Sequence, residues 1–99
     1  MKVAVQRDVV VCEVGPRDGL QILPEILPTA VKLDWVSAEA AAGMPEIEVC
    51  SFVPPKLLPQ FQDAAEVASA ALKIPNLTVV ALVPNLKGAE RAFEVGETA

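Results

Sequence analysis

Glu13-Val14-Gly15-Pro16-Arg17-Asp18-Gly19-Leu20-Gln21 is the stretch on which the reading of this chain turns. The valine-rich run at residues 9–14 reads as a buried strand that ends at Gly15-Pro16. An arginine and an aspartate follow side by side. In parallel α/β proteins, chemistry gathers at the carboxyl ends of strands, where these two residues stand.

Working outward, the pattern repeats. The sequence predicts a helix over 30–42, with Thr29 as its cap and Val31, Leu33, Trp35, Val36 and Ala40 as an imperfect inner face. Gly43 suits a C-cap, and Pro45 resists any extension. Residues 47–50 read as a second short strand. The proline-rich stretch 52–59 fits neither a regular helix nor a central strand. Asp63 can cap a helix over 64–72. Pro75-Asn76 marks a turn, residues 77–83 a third strand, and Pro84-Asn85 its end. A third helix is expected over 87–95, stopped by Gly96.

The order is strand-helix three times, so the fold class is α/β with parallel pairing and right-handed crossovers. Such units occur both in a (β/α)₈ barrel and in open doubly wound sheets, and periodicity alone does not separate them. A glycine-rich dinucleotide loop and a Walker sequence are both missing.

Composition narrows the function. A chain of 99 residues, 53% hydrophobic, suits one small domain rather than a disordered segment. Net charge is -5 without a basic patch, which excludes a nucleic-acid surface and disfavours anionic membranes. The opening segment, with Lys2 and Arg7, contains neither a long apolar run nor a leader pattern, so a cytoplasmic protein is expected. Cys12 and Cys50 lack close metal-ligand spacing, and histidine is absent. Two reduced, mostly buried thiols are the expectation.

Three residues carry the chemistry. If neighbouring strands pair in parallel, Arg17, Asp18 and Glu48 share one rim. Two carboxylates and an arginine suit Mg²⁺ or Mn²⁺ and a carbonyl or carboxylate substrate. The arginine can hold developing oxyanion charge. The same residues also admit simpler roles: Arg17-Asp18 as a surface turn, and Glu48, inside an apolar run, as an ion-pair partner. Gln21 either orients a polar neighbour or finishes the loop. Asn85 either binds a polar group at the same rim or makes a turn hydrogen bond. Cys50 either faces the site or packs in the core; Cys12 packs. Trp35 reads as a packing residue, and Lys56 and Lys87 as solvated.

Glu13 through Gln21, Ile47-Glu48, Ser51-Phe52-Val53-Pro54-Pro55-Lys56, Pro59-Gln60 and Pro84-Asn85-Leu86-Lys87-Gly88 together resemble, in order and spacing, the hydroxymethylglutaryl-CoA lyase family. That family belongs to a larger group of metal-dependent barrel lyases and synthases. The resemblance implies that residues 1–99 are an amino-terminal fragment of a (β/α)₈ TIM barrel. It implies cleavage of 3-hydroxy-3-methylglutaryl-CoA to acetyl-CoA and acetoacetate with Mg²⁺ or Mn²⁺, in leucine degradation. By position, Asp18 is similar to the metal-ligand aspartate and Arg17 to the arginine that stabilises the thioester enolate. Gln21 and Glu48 are similar to neighbouring active-site residues, and Asn85 falls within a matching stretch.

The departures are specific. The family pattern has two histidine metal ligands on a later strand and a catalytic cysteine in a later glycine-rich mobile loop, and Cys50 does not inherit that cysteine's role. Residues 22–25 are less polar than is common in relatives. The expectation is therefore a chain with little activity alone, whose partner is the missing barrel portion or a second copy. A noncatalytic binding or scaffold remnant, or part of a related acyl-CoA lyase or carboxyltransferase, are the alternatives.

Overall fold

A computed structural model describes residues 8–98; the opening segment with Lys2 and Arg7 lies outside the described residues. The elements run β1 (Cys12–Glu13), a π-type helical turn (Gly15–Gly19), α1 (Thr29–Ala41), β2 (Glu46–Ser51), a 3₁₀ turn (Pro59–Phe61), α2 (Ala64–Ala71), β3 (Thr78–Leu82) and α3 (Leu86–Thr98). Three strands form one parallel sheet in the order β1-β2-β3. The fold is three βα units around one parallel sheet, as the repeated strand-helix pattern implies.

Side chains alternate across the sheet. Ile47 and Val49 point into the layer of helices and are buried there. Leu20, Val36, Phe52, Phe61, Ala64, Val67 and Ala71 complete this core. The other face is more polar. Cys12 pairs with Glu46, and Glu48 stands opposite Val80. A register irregularity falls between Glu48 and Cys50. Cys50 is therefore turned to the helix side, where its thiol donates to the Ala64 carbonyl at 3.6 Å.

Beyond shifts of about one residue at element ends, four features differ from the sequence reading, each for a physical reason. β1 is much shorter than residues 9–14, because Cys12 pairs with Glu46, where β2 begins. Nothing in the sheet lies opposite Val9, Val10 and Val11, which are exposed. Thr29 does not cap α1; its hydroxyl donates to Asp63 Oδ2 at 2.6 Å, and Pro28 occupies the cap position. Asp63 holds the N-cap position of α2 but makes no side-chain cap bond, because Thr29 and Lys32 occupy its carboxylate. Gly96 does not stop α3, which continues to Thr98. Gly43 does end α1, with φ of 98°.

The inner face of α1 also differs in part. Val36 is buried as expected, but Val31 is exposed and Lys32 is buried at 2% exposure. Its ammonium bonds Asp63 Oδ1 at 2.7 Å and the Gln60 carbonyl at 2.5 Å. A lysine so enclosed is tolerated because both partners satisfy it.

α3 is held close by Gly88. A β-carbon there would stand 2.8 Å from the Phe52 carbonyl oxygen. Alanine improves helix propensity by about 1 kcal/mol, but overlap with a backbone atom costs roughly 1–3 kcal/mol. Gly88→Ala should therefore lower stability in denaturant titration. A more stable variant would show that α3 can shift away at no cost.

Candidate active site

The turn after β1 positions the first site residues. Pro16 enters it at the start, where its missing N–H costs nothing. Val14 C=O accepts from both Arg17 N–H at 3.0 Å and Asp18 N–H at 2.6 Å. Wide helical turns of this kind recur at functional sites. Gly15 is required by close packing, since a β-carbon would lie 3.0 Å from both Trp35 and the Glu13 carboxylate. That carboxylate accepts the Gly15 N–H at 2.8 Å, fixing the start of the turn.

Arg17 is the hub. Its Nε donates to Glu48 Oε1 at 2.6 Å. Its Nη1 donates to Gln21 Oε1 at 3.1 Å and reaches Asp18 Oδ1 at 3.5 Å. Nη2 has no partner among the described residues. Arg17 and Glu48 are mostly enclosed, at 18% and 14% side-chain exposure, whereas Asp18 is 64% exposed. Arg17, Asp18, Gln21 and Glu48 thus converge at one rim of paired parallel strands. The Arg17-Asp18 pair forms a turn, as the simpler reading has it, and its side chains lie in this cluster. Glu48 is an ion-pair partner, the simpler of its two readings.

Asn85, just beyond the carboxyl end of β3, bonds none of these four side chains. Its Oδ1 accepts the Gly88 N–H at 2.8 Å, which makes it the cap of α3. It also lines an open cavity of about 530 Å³ with Phe52, Pro54, Lys87 and Arg91. The Arg91 guanidinium stacks over the Phe52 ring at 5.4 Å. Lys56 and Lys87 are exposed, as expected.

The thiols separate. Cys12 is half-buried on the face of Glu46 and Glu48, and desolvation, then Glu46, push its pKa up. Cys50 is enclosed, and burial, then the Asp63 charge, push its pKa up to about 12. Trp35 packs against the core and donates its indole N–H to Glu39. Burial, opposed by that bond and assisted by the Glu13 charge, raises the Glu39 pKa.

Sequence reasoning missed Lys32 and Gln60 as organisers of this rim. Gln60 lies in one of the quoted matching stretches, but its role depends on chain segments far away in sequence. Its amide donates to the Leu23 carbonyl at 2.7 Å and, less closely, to the Gln21 carbonyl at 3.4 Å.

No group of three or more acidic, cysteine or histidine side chains that could hold a metal ion occurs among the described residues. Asp18 offers one exposed carboxylate, and the Glu48 carboxylate is taken up by Arg17. An oxygen donor of this kind fits Mg²⁺ or Mn²⁺ as one member of a larger set. No described helix is long and apolar enough to cross a membrane.

No protein-family model matches the chain. It is 46% identical over 90 residues to the mitochondrial hydroxymethylglutaryl-CoA lyase of Macaca fascicularis, covering 91% of this chain and 28% of that protein. It is 49% identical over 84 residues to the 3-hydroxy-3-isohexenylglutaryl-CoA/hydroxy-methylglutaryl-CoA lyase of Pseudomonas aeruginosa, covering 85% of this chain and 28% of the relative. The crystal structure of hydroxymethylglutaryl-CoA lyase from Pseudomonas aeruginosa superposes with a TM-score of 0.83 at 48% identity, over 89% of this chain and 29% of that one. The relatives are hydroxymethylglutaryl-CoA lyases. This chain spans well under a third of their length, and its three units correspond to part of the lyase barrel.

Cys50 gives a pH test of this packing. Its pKa is raised on folding from 9.0 to about 12, so the unfolded chain loses the proton first. The associated stability is complete below pH 9.0 and is lost as pH rises toward about 12. By about pH 10 the loss should reach roughly 1 kcal/mol. Denaturant titrations of wild type and Cys50→Ala across that range should show a steeper fall in wild type, with Cys12, whose pKa is also raised, contributing equally to both. Equal slopes would place the thiol in a wetter environment.

Proposed function

We propose that residues 1–99 supply the amino-terminal part of the (β/α)₈ domain of a divalent-metal-dependent hydroxymethylglutaryl-CoA lyase. The complete enzyme would cleave 3-hydroxy-3-methylglutaryl-CoA to acetyl-CoA and acetoacetate, a reaction of leucine degradation. The observation that carries this is the Arg17–Glu48 contact of 2.6 Å at the rim, with the Asp18 carboxylate exposed beside it. The names of the relatives support an acyl-CoA substrate. The isohexenyl name shows that one relative also takes a larger acyl group.

In this reading the tertiary hydroxyl of the substrate loses its proton and the neighbouring carbon–carbon bond breaks. The electron pair moves into the thioester, whose oxygen becomes enolate-like. Arg17 faces that charge with the guanidinium edge not used by Glu48. Glu48 and Gln21 fix the plane of the guanidinium, so little reorganisation is needed as charge develops. The enolate carbon then takes a proton to give acetyl-CoA, while the hydroxyl-bearing fragment leaves as acetoacetate. Asp18 would be one ligand of Mg²⁺ or Mn²⁺, and the ion, when bound, would supply Lewis-acid stabilisation of substrate oxygens. Asn85 would border the substrate entrance through the cavity it lines. The rest of the barrel, supplied by the same polypeptide or a companion chain, would complete the ligand set. Two free thiols suit a reducing compartment such as the cytoplasm; the animal relatives are named as mitochondrial.

In the complete enzyme, Arg17→Gln should lower kcat by about 10²–10³ with little change in KM, since the charge it meets exists only in the transition state. Asp18→Asn should instead weaken Mn²⁺ binding, read by direct titration. Unchanged turnover in the first and unchanged metal affinity in the second would remove both assignments.

A further inference from the structure

We propose that Gln60 is a positioning residue for the Arg17 guanidinium, reaching it through the chain segment that follows Gln21. The inference rests on the reading of Arg17 as the charge-stabilising group. Residues 22–28 have no regular secondary structure. A local backbone bond, Leu23 N–H to Leu20 C=O at 3.2 Å, ties their early part. Gln60 supplies the long-range tie, with Nε2 2.7 Å from the Leu23 carbonyl and 3.4 Å from that of Gln21. Gln21 in turn accepts from Arg17 Nη1 at 3.1 Å.

Gln60 is itself fixed from behind. Its own carbonyl accepts from the enclosed Lys32 ammonium, which is ion-paired with Asp63 at 2.7 Å. Thr29 closes the arrangement by donating to the same aspartate. The first turn of α1 and the start of α2 thereby hold one side chain against the rim segment.

The chemistry requires a hydrogen-bond donor here. Two carbonyl oxygens face the amide nitrogen, so the group must be a neutral or cationic donor. Its Oε1 is buried without a partner among the described residues. Flipping the amide would place that oxygen against two carbonyls, so the unpaired acceptor is the lesser cost. A side chain needed only for packing would not require this arrangement.

The test is the Arg17 side-chain Nε–H, followed by ¹H–¹⁵N NMR in the full chain with Gln60→Glu and Gln60→Leu. Both substitutions remove the donors, and the first keeps the shape. Proton exchange at Arg17 Nε should accelerate by about tenfold or more in both variants, with backbone-amide protection in β2 unchanged. Unchanged Arg17 exchange overturns the proposal. So does parallel loss of protection throughout β2, which would make Gln60 a folding residue. Turnover of the complete enzyme is a separate readout: accelerated exchange with unaltered kcat would uphold the positioning role and count against Arg17 as the charge-stabilising group.

Discussion

The bond between Arg17 and Glu48 is the constraint on which the rim depends. Glu48 lies between Ile47 and Val49, both buried, in the middle strand of the sheet. A carboxylate there would be costly without a cation. Arg17 supplies one at 2.6 Å from the turn after β1, across the pairing of β1 with β2. Both groups are too enclosed for the pair to count as a weak surface contact, and neither is so dry that desolvation must outweigh the attraction. A charge-assisted bond of this kind is worth about 1.5–3 kcal/mol. Its larger consequence is geometric, since it fixes a planar fork whose remaining edge is not committed.

Much of this was legible because local signals agreed. Valine-rich and isoleucine-containing runs gave three strands, glycine and proline marked their ends, and the Arg17-Asp18 position followed from strand order. The faces were harder to read. Strict alternation puts Glu48 and Cys50 on one side, and the register irregularity between them sends Cys50 to the helices instead. Lys32 was illegible for a related reason. A lysine is buried when partners wait for it, and those partners, Gln60 and Asp63, come 28 and 31 residues later. The same ion pair explains why Thr29 and Asp63 are drawn away from local capping. The valines before Cys12 failed to form strand because pairing needs a neighbour as well as propensity.

The sheet has two chemically different faces. The helix side is closed by aliphatic and aromatic side chains, with Cys50 as a small apolar member. The opposite side carries Cys12, Glu46 and Glu48 with Val80. A second helix layer would have to bury those carboxylates, so a doubly wound sheet is a poor continuation. Closure into a barrel places that face around a common interior, with the strand ends opening at one rim. The lyase structures that superpose on these units follow that solution.

Two adjacent residues of one turn therefore reach different electrostatic states. Arg17 is drawn inward by Glu48, and its Nε and Nη1 edges are taken up by that carboxylate and by Gln21. Asp18 remains in solvent, with a contact to Arg17 of 3.5 Å, too long to hold it firmly. If the cation instead belonged to Glu48, the arginine would lose its anchor and the middle strand would bury a competing positive charge. The proposed division, with Glu48 orienting the guanidinium and Asp18 offering oxygen to a divalent ion, avoids that conflict. It also explains why the turn must be rigid. A side chain at Gly15 would press on Trp35 and on the Glu13 carboxylate that anchors the first N–H, and movement there would shift the guanidinium and the Asp18 carboxylate together.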